Sequence, residues 1–211
     1  KNISLFVSDE LEHPNDDTII ILCKTEEDLI KAFSDLLSIY QPDYISGFNC
    51  TGFDWPYLIG RARRYGLLDY LYRSVNMIRD YRYDKEKNKE KYVDTYIVNE
   101  RFIHLKDRKQ KITLFNVSSF IIMDVQKVLI KKYPKQIKVS LNSFLDKLHL
   151  GSKNDMPVWR MIEILNKQEE LNSKDSKVSK KSKEYKDNIK DLSSISDYCV
   201  VDTKKVKELI N

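Results

Sequence analysis

Two aspartates fall where a carboxylate could do chemistry. Asp54 follows Tyr44, Ile45 and Phe48, which read as a short buried strand, and precedes Pro56, which suits a helix's first turn. Gly47 and Gly52 permit close approach or a positive φ, and Gly66 is a stop after Arg61–Tyr65. Asp54 therefore sits where a strand ends and a helix begins, the place where open α/β folds bind ligands. A capping role for Asp54 is equally open. Asp202 falls in a helical apolar stripe of Leu192, Ile195, Cys199, Val206 and Leu209, with Tyr198 one turn before it. An ionised carboxylate on such a face is costly unless it is paired or holds a metal. A core arginine, a backbone N–H or a metal could each satisfy it.

The elements that must position these residues follow from pattern. Ile3–Val7 and Thr18–Cys23 are β-branched runs separated by the turn chemistry of His13–Asp17. Thr25 caps a helix with Glu26, Glu27 and Asp28 in its first turn and Leu29, Phe33, Leu36, Leu37 and Tyr40 at helical spacing, ended by Pro42. Leu67–Ile78 suits another short helix. Tyr92–Phe102 and Ile112–Met123 are β-like, which predicts a hairpin through Lys106–Lys111. Asp124 caps a helix through Lys132, stopped by Pro134. Ser140 caps another carrying Leu141, Phe144, Leu145 and Leu148, with Gly151 behind it. Asp155-Met156-Pro157 starts a third, to about Asn166, and the last helix runs from about Asn188 to Leu209.

The 211 residues suit one large domain or a domain with insertions. No run of about 18 apolar residues predicts a membrane span. Three widely spaced cysteines, Cys23, Cys50 and Cys199, give neither a disulfide framework nor zinc spacing and fit a reducing compartment. The net charge of +5 is concentrated: residues 81–111 carry +4 and residues 167–190 carry +3, leaving −2 for the rest. Such segments attract nucleic acid or are simply solvated loops. Residues 81–111 read as a basic variable segment or hairpin. Residues 169–187, rich in Lys and Ser without an apolar period, read as a surface insertion.

Taken together, Asn49-x-x-x-Phe53-Asp54 and Tyr198-x-x-x-Asp202 resemble the second and third exonuclease motifs of family B DNA polymerases. Asp43-Tyr44-Ile45-Ser46-Gly47-Phe48-Asn49 is similar to that family's PD-hydrophobic-TGYN stretch, and Phe53–Leu58 to its FDLPYL. Met123-Asp124 and the following helix resemble the segment after the domain's last strand. Ser140–Ser143 and Leu150–Asp155 resemble two further landmarks, SYKLNxV and LGxxKxD. These matches keep their order from about Glu26 to Leu209.

The resemblance implies an α/β, RNase H-like exonuclease fold, a mixed β-sheet flanked by helices, over residues 1–211. It implies 3′-to-5′ proofreading hydrolysis of DNA with two Mg²⁺ ions, for which Mn²⁺ substitutes. Asp54 and Asp202 are then metal ligands, Tyr198 orients the attacking water, and Asn49 and Phe53 position the terminal nucleotide. Implied partners are the single-stranded 3′ end of a primer, the remaining polymerase chain and a processivity factor, with no membrane. The implied location is a nucleus or a viral replication site in the cytoplasm. The family's first motif, Asp-x-Glu on a strand, has no match: Asp9-Glu10-Leu11-Glu12 is the only acidic run near the start, and Asp9 and Glu10 would point to opposite faces of a strand. The expectation is that this motif lies upstream of Lys1, the fold being N-terminally incomplete and the chain a piece of a larger polymerase that lacks the palm. Two rivals stand beside this reading. One is a free-standing exonuclease of the same superfamily. The other is a degenerate, non-catalytic domain used for DNA binding or interdomain packing.

Overall fold

The computed structural model describes residues 2–8, 10–11, 17–75, 80–84, 89–93, 97–105, 108–117, 119–152, 156–172 and 182–211. It divides into two compact units, Lys1–Leu29 with Leu145–Asn211, and Ile30–Phe144.

In the first unit β1 (Asn2–Val7) pairs with β2 (Thr18–Cys23) in parallel, from Asn2 opposite Thr18 to Val7 opposite Cys23. Both strands were expected; their direction was not written in the sequence. Two long helices, here numbered α6 (Val158–Asn172) and α7 (Lys183–Ile210), pack through Ile164, Leu171, Tyr185, Ile189, Leu192 and Ile195. Phe6 of β1 lies against this cluster, and the Ser4 and Ser196 hydroxyls share a 2.8 Å hydrogen bond. Ser182 caps α7 by accepting from the Tyr185 N–H at 3.2 Å.

Both helices reach into the lysine-rich stretch. α6 continues six residues past Asn166, and α7 begins five residues before Asn188. Leu171 and Tyr185 are core residues, so the ends of 169–187 belong to packed helices. Residues 173–181, and the landmark residues 153–155, lie outside the described residues.

The second unit holds the helices α1 (Glu26–Tyr40, from Ile30 onward), α2 (Asp54–Arg64), α3 (Leu68–Val75), α4 (Val125–Lys132) and most of α5 (Leu141–Lys147). Thr25 and Ser140 cap as expected, accepting from Asp28 N at 3.1 Å and Ser143 N at 3.3 Å. Strand β3 (Tyr44–Gly47) runs parallel to β8 (Ile121–Asp124). The basic segment forms hairpins: β4 (Asp80–Asp84) with β5 (Lys89–Val93), and β6 (Ile97–Leu105) with β7 (Arg108–Asn116). The second hairpin is the expected one with other bounds: β6 runs on to Leu105 and β7 begins at Arg108. Among the described residues the strands close as four separate two-stranded ladders, two parallel and two antiparallel, where one mixed sheet was expected. β-Branched content marks a strand; which strands share a ladder is set by distant contacts.

Trp55 centres this unit's core. Its ring stacks on Phe115 and Phe120, each with centroids 5.9 Å apart, among Ile59, Ala62, Leu71 and Tyr72. That packing fixes the first turn of α2 against β7. Tyr44, expected inside, is exposed, while Phe48 packs edge-on against the buried Phe144 at 6.3 Å.

Candidate active site

β3 and β8 end level, with Gly47 opposite Asp124, and the chain from Phe48 to Phe53 loops over those ends. Gly47 has no Cβ because one would fall 2.7 Å from the Cys50 Cβ. The loop is organised by Asp124. Its Oδ1 accepts from the backbone N–H of Asn49 at 3.0 Å and of Lys127 at 3.4 Å. Its Oδ2 accepts from the Thr51 N–H at 3.1 Å and the Thr51 hydroxyl at 2.6 Å. Four donors satisfy a carboxylate that is almost wholly buried. The expected helix cap is real, but it is the lesser part of what Asp124 does. The Thr51 carbonyl also accepts from Thr113 N–H of β7 at 2.9 Å, which pins the loop to the hairpin.

Asn49 stands in the left-handed region at φ 59°. Its Oδ1 accepts from the Lys127 ammonium at 2.8 Å and from Gln110 Nε2 at 3.2 Å. Lys127 Nζ also donates to Gln110 Oε1 and Gln126 Oε1, each at 3.0 Å, and lies 3.9 Å from Asp124 Oδ2. Burial pushes the Lys127 ammonium below its ordinary value, against the opposing pull of Asp124 and Cys50. Gly52 is required by close approach: a Cβ there would meet Asn49 Oδ1 at 2.5 Å and Gln110 Nε2 at 2.8 Å. The Cys50 thiol is pushed up to about 12, first by burial and then by the charges of Asp124 and Asp54. It therefore stays a thiol, not a nucleophile. Sequence reasoning missed Thr51, Gln110 and Lys127. The available signal was an aspartate closing one strand and a glycine-flanked loop closing another.

On the outer side of this loop Phe53 is 67% exposed, and Asp54 and Tyr57 are exposed beside it on the first turn of α2. The capping reading of Asp54 is corrected here. Phe53 occupies the N-cap position without a side-chain cap bond, and Asp54 is the first helical residue. Partial desolvation raises the Asp54 carboxyl above its ordinary value; its own backbone N–H opposes this, and the Asp124 charge adds to it. Such a carboxylate gains from a neighbouring cation, and its hard oxygens are what Mg²⁺ takes. Asp124, saturated by protein donors, is not available for that role.

Tyr198 and Asp202 lie one turn apart on α7, in the other unit, and both are half-buried. Leu192, Ile195 and Val206 of the expected stripe are buried, whereas Cys199 is exposed and Val200 is buried beside it. Ser193 and Ser196, too small to register as apolar, complete that face. Asp202 thus borders the core without facing it. The structure gathers Asn49, Phe53 and Asp54 at one junction. Among the described residues no three His, Cys, Asp or Glu side chains gather to hold a metal ion. No helix among them is long and apolar enough to cross a membrane.

Comparison with known proteins places the sequence in a family. The family model for the exonuclease domain of DNA polymerase family B matches residues 2–144, the stretch that contains the whole junction, and ends before α7. A protein named DNA polymerase beta from African swine fever virus (Tick/Malawi isolate) is 24% identical over 194 residues, 90% of this chain and 14% of that protein. A DNA polymerase of Archaeoglobus fulgidus is 47% identical over 53 residues, 25% of this chain and 7% of its own. The DNA polymerase catalytic subunit of elephantid herpesvirus 1 is 42% identical over 45 residues, 21% of this chain and 4% of its own. The chain thus spans about a seventh of that viral polymerase's length. With the family model covering most of its length, this chain belongs to the exonuclease domain family of family B DNA polymerases.

Proposed function

We propose that this chain is an RNase H-like proofreading domain that removes 3′-terminal nucleotides from DNA, as part of a larger DNA polymerase. The observation that carries the reading is the junction itself. An exposed carboxylate and an exposed aromatic ring sit side by side at a strand end, on a loop held rigid by a buried Asp–Lys network. Phe53 offers a stacking surface to the terminal base, and stacking suits a substrate of any sequence. Asn49 offers its amide to the nucleotide's oxygens. Asp54 and Asp202 would hold Mg²⁺, or Mn²⁺ in its place. Two such ions would supply charge neutralisation on the attacking and leaving oxygens. Tyr198 orients the water that attacks phosphorus in line. The P–O3′ bond breaks, a nucleoside 5′-monophosphate leaves, and the shortened strand keeps a 3′-hydroxyl.

The substrate is the frayed single-stranded 3′ end of a primer, the partners are the remaining polymerase chain and a processivity factor, and the setting is a nucleus or a viral replication site. The test is mononucleotide release from a 3′-labelled single-stranded oligonucleotide by the full-length polymerase with Mg²⁺ or Mn²⁺. Asp54→Ala and Phe53→Ala should abolish and weaken it respectively. Release unchanged by Asp54→Ala would contradict the proposal.

A further inference from the structure

Lys127 is an unusual residue to find buried, and nothing in the proposed reaction uses it. An ammonium only donates hydrogen bonds. Its partners, Asn49 Oδ1 at 2.8 Å, Gln110 Oε1 at 3.0 Å and Gln126 Oε1 at 3.0 Å, are therefore fixed as acceptors. Gln110 in turn donates its Nε2 to the same Asn49 oxygen at 3.2 Å. Two donors occupy the Asn49 oxygen, and the Asn49 backbone is held left-handed by Asp124 at its N–H. Both the backbone and the flip state of the carboxamide are thereby set. The Nδ2 amide takes no part in these bonds.

We propose that Lys127 is a positioning residue that locks the Asn49 carboxamide with its oxygen inward, so that the domain offers the terminal nucleotide a hydrogen-bond donor and selects acceptor oxygens of its sugar, phosphate or base. The proposal rests on the reading of Asn49 as a substrate contact. Asp124 makes the arrangement affordable, since its charge lies 3.9 Å from the ammonium. Gln110 extends it to β7, so the hairpin and the strand-end loop are coupled through one amide. Without Lys127 the carboxamide could rotate and present its oxygen, which repels the oxygens it should bind.

The test is a double-mutant cycle on exonuclease kinetics in the full-length polymerase, with a single-stranded oligonucleotide as substrate. Asn49→Gly keeps the left-handed backbone and removes the carboxamide. Lys127→Met removes the lock and keeps the side chain's length. Each should raise KM about tenfold, the scale of one hydrogen bond, with kcat within about twofold. The double variant should match Asn49→Gly alone, a result that a general loosening of the fold does not give. Should Lys127→Met fail to fold, Gln110→Leu serves in its place, with a smaller rise that vanishes in the Asn49→Gly background. Additive effects, or a wild-type KM for the lock variants beside a raised one for Asn49→Gly, overturn the positioning role and leave the proposed function standing. A wild-type KM for Asn49→Gly overturns the Asn49 reading and this inference together.

Discussion

The Thr51 hydroxyl donates to Asp124 Oδ2 at 2.6 Å, although 73 positions separate the two residues. With the Asn49 and Thr51 N–H groups on the same carboxylate, the loop after β3 is held by the last residue of β8. Asp124→Ala strands those donors and leaves the Lys127 ammonium buried without its counter-charge. Removing one partner of a buried pair costs about 3–5 kcal/mol. The urea midpoint of the variant should fall accordingly; a midpoint within a few tenths of molar of wild type would contradict this account of the loop.

Gly52 and Gly60 make a matched pair. An added Cβ at Gly52 meets Asn49 Oδ1 and Gln110 Nε2, whereas one at Gly60 meets nothing within 4 Å. Gly52→Ala should cost about 1–3 kcal/mol by overpacking. Gly60→Ala, on an exposed interior position of α2, should stabilise by about 0.5–1 kcal/mol. Thermal melts of the two variants should move in opposite directions.

Cys50 sets a pH dependence. Its folded-state value, pushed up to about 12, lies above the unfolded value near 9.0, so folding holds the proton that the unfolded chain releases. Its contribution to stability is fully present below about pH 9 and is lost as pH rises toward 12. Between pH 8 and 10.5 the Tm of wild type should fall more steeply than that of Cys50→Ala. Parallel curves would show that the thiol does not titrate differently on folding.

The sequence spoke most clearly where one local rule decides. Thr25, Ser140 and Asp124 cap the helices they were expected to cap, and Gly66 takes the positive φ of 68° that a helix stop needs. Asp54 was found at its junction because Pro56 and the preceding strand mark it. What stayed hidden depends on distant partners. Nothing near Lys127 in sequence tells that it reaches Asn49 and Gln110, 78 and 17 positions away. On α7 the stripe of Leu192, Ile195 and Val206 was legible, but Cys199 looks apolar and is exposed, while Ser193 and Ser196 pack inside without adding hydrophobicity. The ladder partners of β1 and β3 likewise follow from packing, not from their own residues.

The lysine-rich stretch makes a graded prediction. Replacing residues 173–181 with a Gly/Ser segment of equal length should leave the Tm nearly unchanged, because that sequence has no apolar period. Tyr185→Ala, four residues beyond, should cost about 3–5 kcal/mol, since Tyr185 is almost fully buried against α6. Equal losses from both changes would place the intervening residues in the core as well.

The proposed function requires Asp54 on α2 and Asp202 on α7 each for metal-dependent hydrolysis. The direct measurement is the rate of mononucleotide release from a 3′-labelled single-stranded oligonucleotide by the full-length polymerase, for wild type, Asp54→Ala, Asp202→Ala and Tyr198→Phe. The account predicts Mg²⁺- or Mn²⁺-dependent release, loss of it in either aspartate variant, and a reduction of about 10²-fold in Tyr198→Phe, as for one positioned proton-handling group. Metal-dependent release that survives either aspartate substitution would contradict it.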